Sequence, residues 1–343
     1  MNQKLTGKQY TLLASMLFGM FFGAGNLIFP IILGAKAGAS LVPALLGMLI
    51  TAVGMPLLGI VALGVSRSSG LMQMSGRVAK WYSYFFTCAL YLTIGPFFAI
   101  PRCAATSFTM GIAPLVSGSH TVPQAIFTTL FFAAVLFFAL RPNNIMNSIG
   151  KYLNPIFLIC LGILVVAALL DPIQSVGSVA ASGAYADNAF STGFLQGYDT
   201  LDALASLAFG IIVVNVIKEM GVEEPGAIAK NTIKSGVFSM VLMTVIYALI
   251  AIVGAQSYGL YVDQLGEPSF NGGNAFAIVA QHYLGKAGMI VLALTVTFCC
   301  MKTAIGLVTA CADTFSVMFP RSLSYRSWAI VFTAFSLLVS NIG

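Results

Sequence analysis

Residues 22–30, Phe-Gly-Ala-Gly-Asn-Leu-Ile-Phe-Pro, carry the densest chemical signal in the chain. Two glycines, an asparagine and a proline so close together make a poor continuous helix. Where a helix breaks, its second half presents free backbone N–H groups that receive a carboxylate, and unwound carbonyls can hold a cation. Asn26 adds a neutral amide oxygen suited to a hard monovalent ion. The competing reading is that the glycines serve close helix packing, as small-residue motifs do. A second stretch, 197–210, reads Gly-Tyr-Asp-Thr-Leu-Asp-Ala-Leu-Ala-Ser-Leu-Ala-Phe-Gly. It sets Asp202 inside an apolar run, where a carboxylate must face the interior and find a partner. Asp199 lies a turn earlier and reads as solvated. Lys302 is a further charge within an apolar run.

The elements that must position these groups follow from composition. Of 343 residues, 59% are hydrophobic and 8% charged, against roughly 45–50% and about 25% in soluble domains. Mean hydropathy is +0.95. So few charges cannot keep a soluble surface of this size wet. The apolar stretches are long and continuous rather than alternating over ~10 residues, which excludes an outer-membrane barrel. The expectation is an all-α, polytopic membrane protein of about nine transmembrane helices. The spans are 10–33, 41–65, 81–112, 124–140, 152–170, 194–217, 235–258, 289–311 and 328 onward. Pro96 and Pro101 should kink the third. The longest polar insert is 171–193. With the N-terminus inside, 12 of the 16 basic residues fall on the cytoplasmic side (Lys4, Lys8, Arg67, Arg77, Lys80, Arg141, Lys151, Lys218, Lys230, Lys234, Arg321, Arg326). The excess of positive charge on inner loops thus orients the chain in the cell membrane.

Other function classes find little support. The net charge of +6 is a matter of topology and implies no nucleic acid partner. The six cysteines form no CxxC pair and read as small core hydrophobes. There is no HExxH, Gly-x-Ser-x-Gly or P-loop, so neither an enzyme nor a built-in ATPase is indicated. No pore-lining charge ring marks a channel. Arg102, after Pro101, reads as a structural partner for carbonyls or an acid, and Asn143 and Asn144 as turn residues. No cofactor and no resident metal are expected.

Several spaced motifs together resemble one family. They are 22–30 with Gly34, then 95–102 (Gly-Pro-Phe-Phe-Ala-Ile-Pro-Arg), 147–155 and 197–210. Thr303–Leu307 with 310–312, and the closing Ser-Asn-Ile-Gly of 340–343, complete the set. The chain is similar to the branched-chain amino acid:cation symporter (LIVCS) family across its length. Family members are longer, with about twelve spans, so the resemblance implies that the last quarter is missing and the chain truncated after 16 residues of its ninth span.

The resemblance implies a leucine-transporter-like (LeuT-like, APC superfamily) bundle of inverted repeats within one domain, 1–343. The first five-helix repeat would be 10–170 and an incomplete second repeat 194–343. Breaks near 23–26 and 202–206 would then meet at the midplane, on antiparallel neighbours. Carried over residue by residue, backbone groups at Gly23, Ala24 and Gly25 would take the substrate carboxylate. Phe209 and Ala208 would wall an apolar pocket, Ser206 would hydrogen-bond substrate or ion, and Tyr91 would reach in from the third span. Asn26 would hold a cation, and a second cation would use the carbonyls of Gly19 and Phe22 with the Thr303 hydroxyl. Lys302 departs from the family's neutral residue. Facing inward, its ammonium stands in for an ion and puts sodium coupling in question; pointing outward, it marks a disabled copy, and the plainer alternative is that it faces a gap left by the missing helices. Asp202 and Lys302 are thus the candidate coupling residues. The implied function is symport of leucine, isoleucine and valine with Na+ or H+ as coupling ion, in contact with membrane lipid. The alternatives are an inactive truncated remnant and, less favoured, a channel.

Overall fold

The computed structural model describes residues 5–342 except 67, 69, 117, 142, 143, 268 and 269. Lys4, Arg67, Asn143 and Gly343, named above, lie outside the described residues. Among those described there are helices and turns but no strand. All nine apolar stretches fall on helix, as their lengths predict.

Helix α1 (Gly7–Phe21) starts on a capping box: Gln9 N–H donates to the Thr6 hydroxyl while Thr6 N–H donates to the Gln9 side chain. It stops at Phe22 and Gly23, both extended, and α2 (Ala24–Ala37) begins immediately after. At 15 and 14 residues, each is ~22 Å long at ~1.5 Å per residue and too short for the ~30 Å bilayer core alone. Together they make one broken span. Among the described residues six helical stretches are long and apolar enough to cross, the first of them Ala24–Val65, which includes α2, and a pair bent by 41° adds a seventh. That pair is α10 (Ala184–Tyr198) and α11 (Asp202–Glu219). Helix therefore begins within the polar insert 171–193 rather than after it.

The second span joins α3 (Leu41–Leu49) to α4 (Met55–Val65) through a π-turn at Ile50–Gly54. A short α5 (Leu71–Ser75) precedes the third, α6 (Lys80–Leu92) and α7 (Ala99–Ser107). Between them the backbone leaves helical geometry at Gly95 and Phe98. The single break sits beside Pro96. Pro101 falls in the first turn of α7, where no intrahelical N–H bond is lost, and so causes no kink of its own. The chain continues through α8 (Thr121–Ala139), α9 (Asn154–Leu170), α12 (Pro225–Gln256), α13 (Gly272–Met318) and α14 (Tyr325–Val339). Gly285, at φ +57°, turns α13 sharply near its start, a conformation that side chains rarely adopt.

Packing brings the two broken spans together. α1 lies on α11 and α2 on α10. First half against second half means that they run antiparallel, as inverted-repeat logic expects. α12 and α13 back both halves: α12 packs on α1, α2 and α4, and α13 on α1, α2, α7 and α9. Apolar attraction is weak between helices in lipid, so close approach of small residues carries the association. A Cβ on Gly34 would fall 1.9 Å from the Ala251 carbonyl oxygen, and one on Gly254 would fall 2.1 Å from that of Ile31. The α2–α12 crossing thus exists only with glycine on both sides.

Gly34→Ala should force these helices apart and lower stability by about 1–3 kcal/mol. Gly162→Ala, where a Cβ meets open space, should stay within about 0.5 kcal/mol of the parent. Thermal unfolding of both variants in detergent checks this, and equal melting would contradict the crossing geometry.

Candidate functional site

The two breaks face each other. The first, at Phe22 and Gly23, falls where the glycine spacing predicts. The second, at residues 199–201, comes earlier than the expected 202–206, and α11 runs unbroken through residues 206–210. The residues explain the shift. Ala208 lies just past the expected break, and alanine favours helix over glycine by about 1 kcal/mol. Asp202, the first residue of α11, puts a carboxylate at the positive end of the helix. The chain enters α11 through Leu201 at φ +65°, a left-handed conformation costing a non-glycine residue about 1–2 kcal/mol. Such strain persists only where surrounding contacts overdetermine it.

Those contacts form a buried network. Asn26 Oδ1 accepts the Gly23 N–H at 2.8 Å, capping α2 across the break. Asn26 Nδ2 donates to Asp202 Oδ2 at 2.5 Å and also to the Tyr247 hydroxyl. The Tyr247 hydroxyl donates to the same Asp202 oxygen at 3.1 Å. Rotating the amide would set its oxygen against the carboxylate and its nitrogen against the Gly23 N–H, so only one orientation fits. Asn26 and Asp202 are 1% and 3% exposed. One asparagine therefore caps the first break and neutralises the polar demand of the second.

Beside this network lies a narrow cavity of about 40 Å³, well below the roughly 300–1,000 Å³ common for occupied small-molecule pockets. Gly23, Ala24, Gly25 and Asn26 line it from the first break and Asp202 and Phe209 from the sixth span. Phe21, Leu307 and Ile94 add apolar wall, and Arg102 and Thr303 polar groups. The Ala24 and Gly25 N–H groups are the first of α2 and have no intrahelical acceptor.

A family model described as branched-chain amino acid transport protein matches residues 6–343. The chain belongs to this family. Branched-chain amino acid permease BrnQ of Lactobacillus delbrueckii subsp. lactis is 50% identical over 345 residues, covering 100% of this chain and 76% of the permease. BrnQ of Bacillus subtilis (strain 168) is 42% identical over 344 residues, with 100% and 76% covered. Among solved structures, MhsT in complex with L-phenylalanine matches with TM-score 0.65 and 15% identity, over 99% of this chain and 80% of that one. This likeness gives the LeuT-like helical fold. The chain is accordingly a multi-pass membrane protein of a branched-chain amino acid transport family whose relatives are named permeases.

In this family member the remaining candidate residues, Thr303 excepted, sit apart from the cavity lining. Ser206 donates to the Ala203 carbonyl at 2.7 Å and abuts Gly59 of α4, where a Cβ would lie 2.0 Å from its hydroxyl. Ala208 is buried. Tyr91 is buried, and its carbonyl accepts from Cys311 at 3.4 Å. Gly19 faces Ile149 and Asn154. The Phe22 ring packs on Phe157 and Tyr247, and its carbonyl accepts from Cys299 at 3.2 Å. Thr303 reaches the last turn of α1, donating to the Met20 carbonyl at 2.9 Å. Lys302, 0% exposed, turns away from both cavity and lipid. Its ammonium donates to Asn154 Oδ1 at 3.1 Å and lies 3.5 Å from the centre of the Phe157 ring. The reading that it faces a gap left by missing helices does not hold, since the side chain is fully enclosed by residues of this chain. Asn154 donates in turn to Ser15 at 2.9 Å, which fixes its oxygen toward the lysine.

Sequence reasoning missed Tyr247, an aromatic in an apolar run with nothing local to distinguish it. Arg102 was legible only as a structural partner.

Replacing Asn26 with Leu removes the closest donor to Asp202 and the acceptor of Gly23. Stability should fall by about 3 kcal/mol, whereas Tyr247→Phe should lose about 1 kcal/mol because Asn26 still serves the carboxylate. Denaturation of the purified variants checks the order, and a larger loss for Tyr247→Phe would break it.

Proposed function

We propose that the chain carries leucine, isoleucine and valine into the cell by alternating access around its two broken helices. The observation that carries this reading is the meeting of both breaks on one apolar cavity. The free N–H groups at the start of α2 offer a place for a carboxylate. Asp202, on the same cavity, offers a counter-charge to an α-ammonium. Between them Phe21, Phe209 and Leu307 present only hydrocarbon to a side chain. Phe209 is itself held edge-on by Phe21, with ring centres 5.3 Å apart. That combination suits an aliphatic amino acid. The permease names of the relatives point the same way.

The half-helices give the movement a structural basis. α2 and α10 cover the cavity on one side of the breaks and α1 and α11 on the other, so tilting either pair opens one side. The distribution of basic residues puts the α2 and α10 side outward, with the N-terminus in the cytoplasm.

Coupling is to a sodium or proton gradient, and Lys302 weighs on the side of the proton. Its fixed ammonium lies against α1, with the Phe18 ring 5.7 Å away, next to Thr303. A sodium ion at that seam would meet a like charge at short range. The Asn26–Asp202–Tyr247 network offers the titratable group instead.

In proteoliposomes holding the full chain, radiolabelled leucine should accumulate under an imposed proton gradient and stop on adding a protonophore. Phe209→Ala should raise the apparent KM for leucine about tenfold, from loss of one buried aromatic wall. Accumulation driven by sodium and indifferent to protonophore would overturn proton coupling alone. Absence of uptake for all three amino acids would overturn the substrate reading.

A further inference from the structure

The break in the third span has a consequence for the cavity. Because α7 restarts at Ala99, Arg102 sits in its first turn, with its N–H on the Phe98 carbonyl at 3.0 Å. Its side chain lines the cavity, and of the lining residues only Arg102 and Asp202 carry a formal charge. The two are not paired with each other. Asp202 is held by Asn26 and Tyr247. Arg102 has one long bond, Nη1 to the Asp199 carbonyl at 3.3 Å, and the faces of Phe29 and Phe98 at 5.4 and 5.8 Å. A guanidinium carries five donors in a planar fork, so most of its capacity is unspent. Arg102 is half-buried beside the exposed Asp199, so these unspent donors are open to solvent or to a ligand that enters the cavity.

Its position names the ligand. The Phe29 ring that packs on Arg102 also lies against Gly25, where a Cβ would come 3.1 Å from its edge and 3.3 Å from Thr200 Cα. The guanidinium and the start of α2 therefore share one corner, bounded by Phe29 and residues 199–200. Asp202 adds the opposite charge to the same cavity.

We propose that Arg102 receives the carboxylate of the amino-acid substrate, together with the free N–H groups at the start of α2. The inference rests on the substrate reading above and adds the residue that makes the carboxylate obligatory. The planar fork matches a carboxylate through two parallel hydrogen bonds. The bound carboxylate replaces the Asp199 carbonyl as the principal partner of Arg102. An amino-acid zwitterion thereby supplies both missing counter-charges, which an amine or an amide cannot do.

The test compares leucine with leucinamide, which keeps the ammonium and the side chain but lacks the carboxylate. Binding of each to the purified full chain in lipid nanodiscs is measured by calorimetry. The parent should prefer leucine by about 30-fold or more, the scale of a charge-assisted pair of hydrogen bonds. Arg102→Gln should weaken leucine binding by about 30-fold and change leucinamide by no more than about threefold, so that most of the preference disappears. Arg102→Lys, which keeps the charge without the fork, should restore part of the leucine affinity and none for leucinamide. Parallel losses for both ligands would mark a purely structural arginine and overturn the inference alone, as would unchanged leucine binding. If Arg102→Gln does not yield folded protein, Arg102→Lys decides, and an undiminished preference there overturns the inference. A parent that binds neither leucine, isoleucine nor valine overturns the substrate reading and this inference with it.

Discussion

The carboxylate of Asp202 and the amide of Asn26 meet across two interrupted helices, and the rest of the molecule is arranged around that contact. In hydrocarbon there is no water to satisfy a broken backbone, so each interruption must find its partners inside the protein. Asn26 does this twice, accepting the Gly23 N–H and donating to Asp202. Tyr247, from α12, closes the triangle. A break in one helix is thus tolerable only because the other is broken opposite it.

Bringing the breaks into register requires helices closer than ordinary side chains permit. The α2–α12 crossing through Gly34 and Gly254 has a counterpart between α3 and α10. There, Cβ atoms on Gly47 and Gly193 would fall 2.1 and 2.0 Å from the Phe190 and Ala44 carbonyl oxygens. These crossings clamp α2 and α10, the halves on one side of the cavity. The other side is held by α13, whose Thr303 and Cys299 bond the last carbonyls of α1. Lys302, on that same helix, is turned onto Phe157 and Asn154. The cavity is therefore bounded by one side fastened through glycine contacts and another fastened through side-chain bonds to a helix end.

The fold survives at 15% identity to MhsT because it depends on where small and apolar residues fall more than on which ones they are. The local chemistry does not transfer so freely. The sixth span breaks at 199–201 because Ala208 continues the helix and Asp202 starts it well. That shift moves Ser206 onto α4 and brings the carboxylate of Asp202 to the cavity.

Much of this was legible in the chain by itself. The apolar runs gave membrane-spanning helices because their lengths match a bilayer, and Gly23 through Pro30 gave the first break because local backbone preference decides it. Asp202 had to have a partner, since an isolated carboxylate at that depth is too costly. Which partner it has could not be read from sequence. Tyr247 lies 45 residues away in a run that looks like any lipid-facing helix, and only packing turns its hydroxyl inward. Lys302 was equally undecided, because a long flexible side chain follows whichever neighbour offers an acceptor and a ring. Arg102 looked structural until the break at Gly95 and Phe98 set the direction of α7. Local propensity and the bilayer's thickness act on short stretches of chain. The convergence of four separate spans on one cavity is a property of their crossings, and no single stretch contains it.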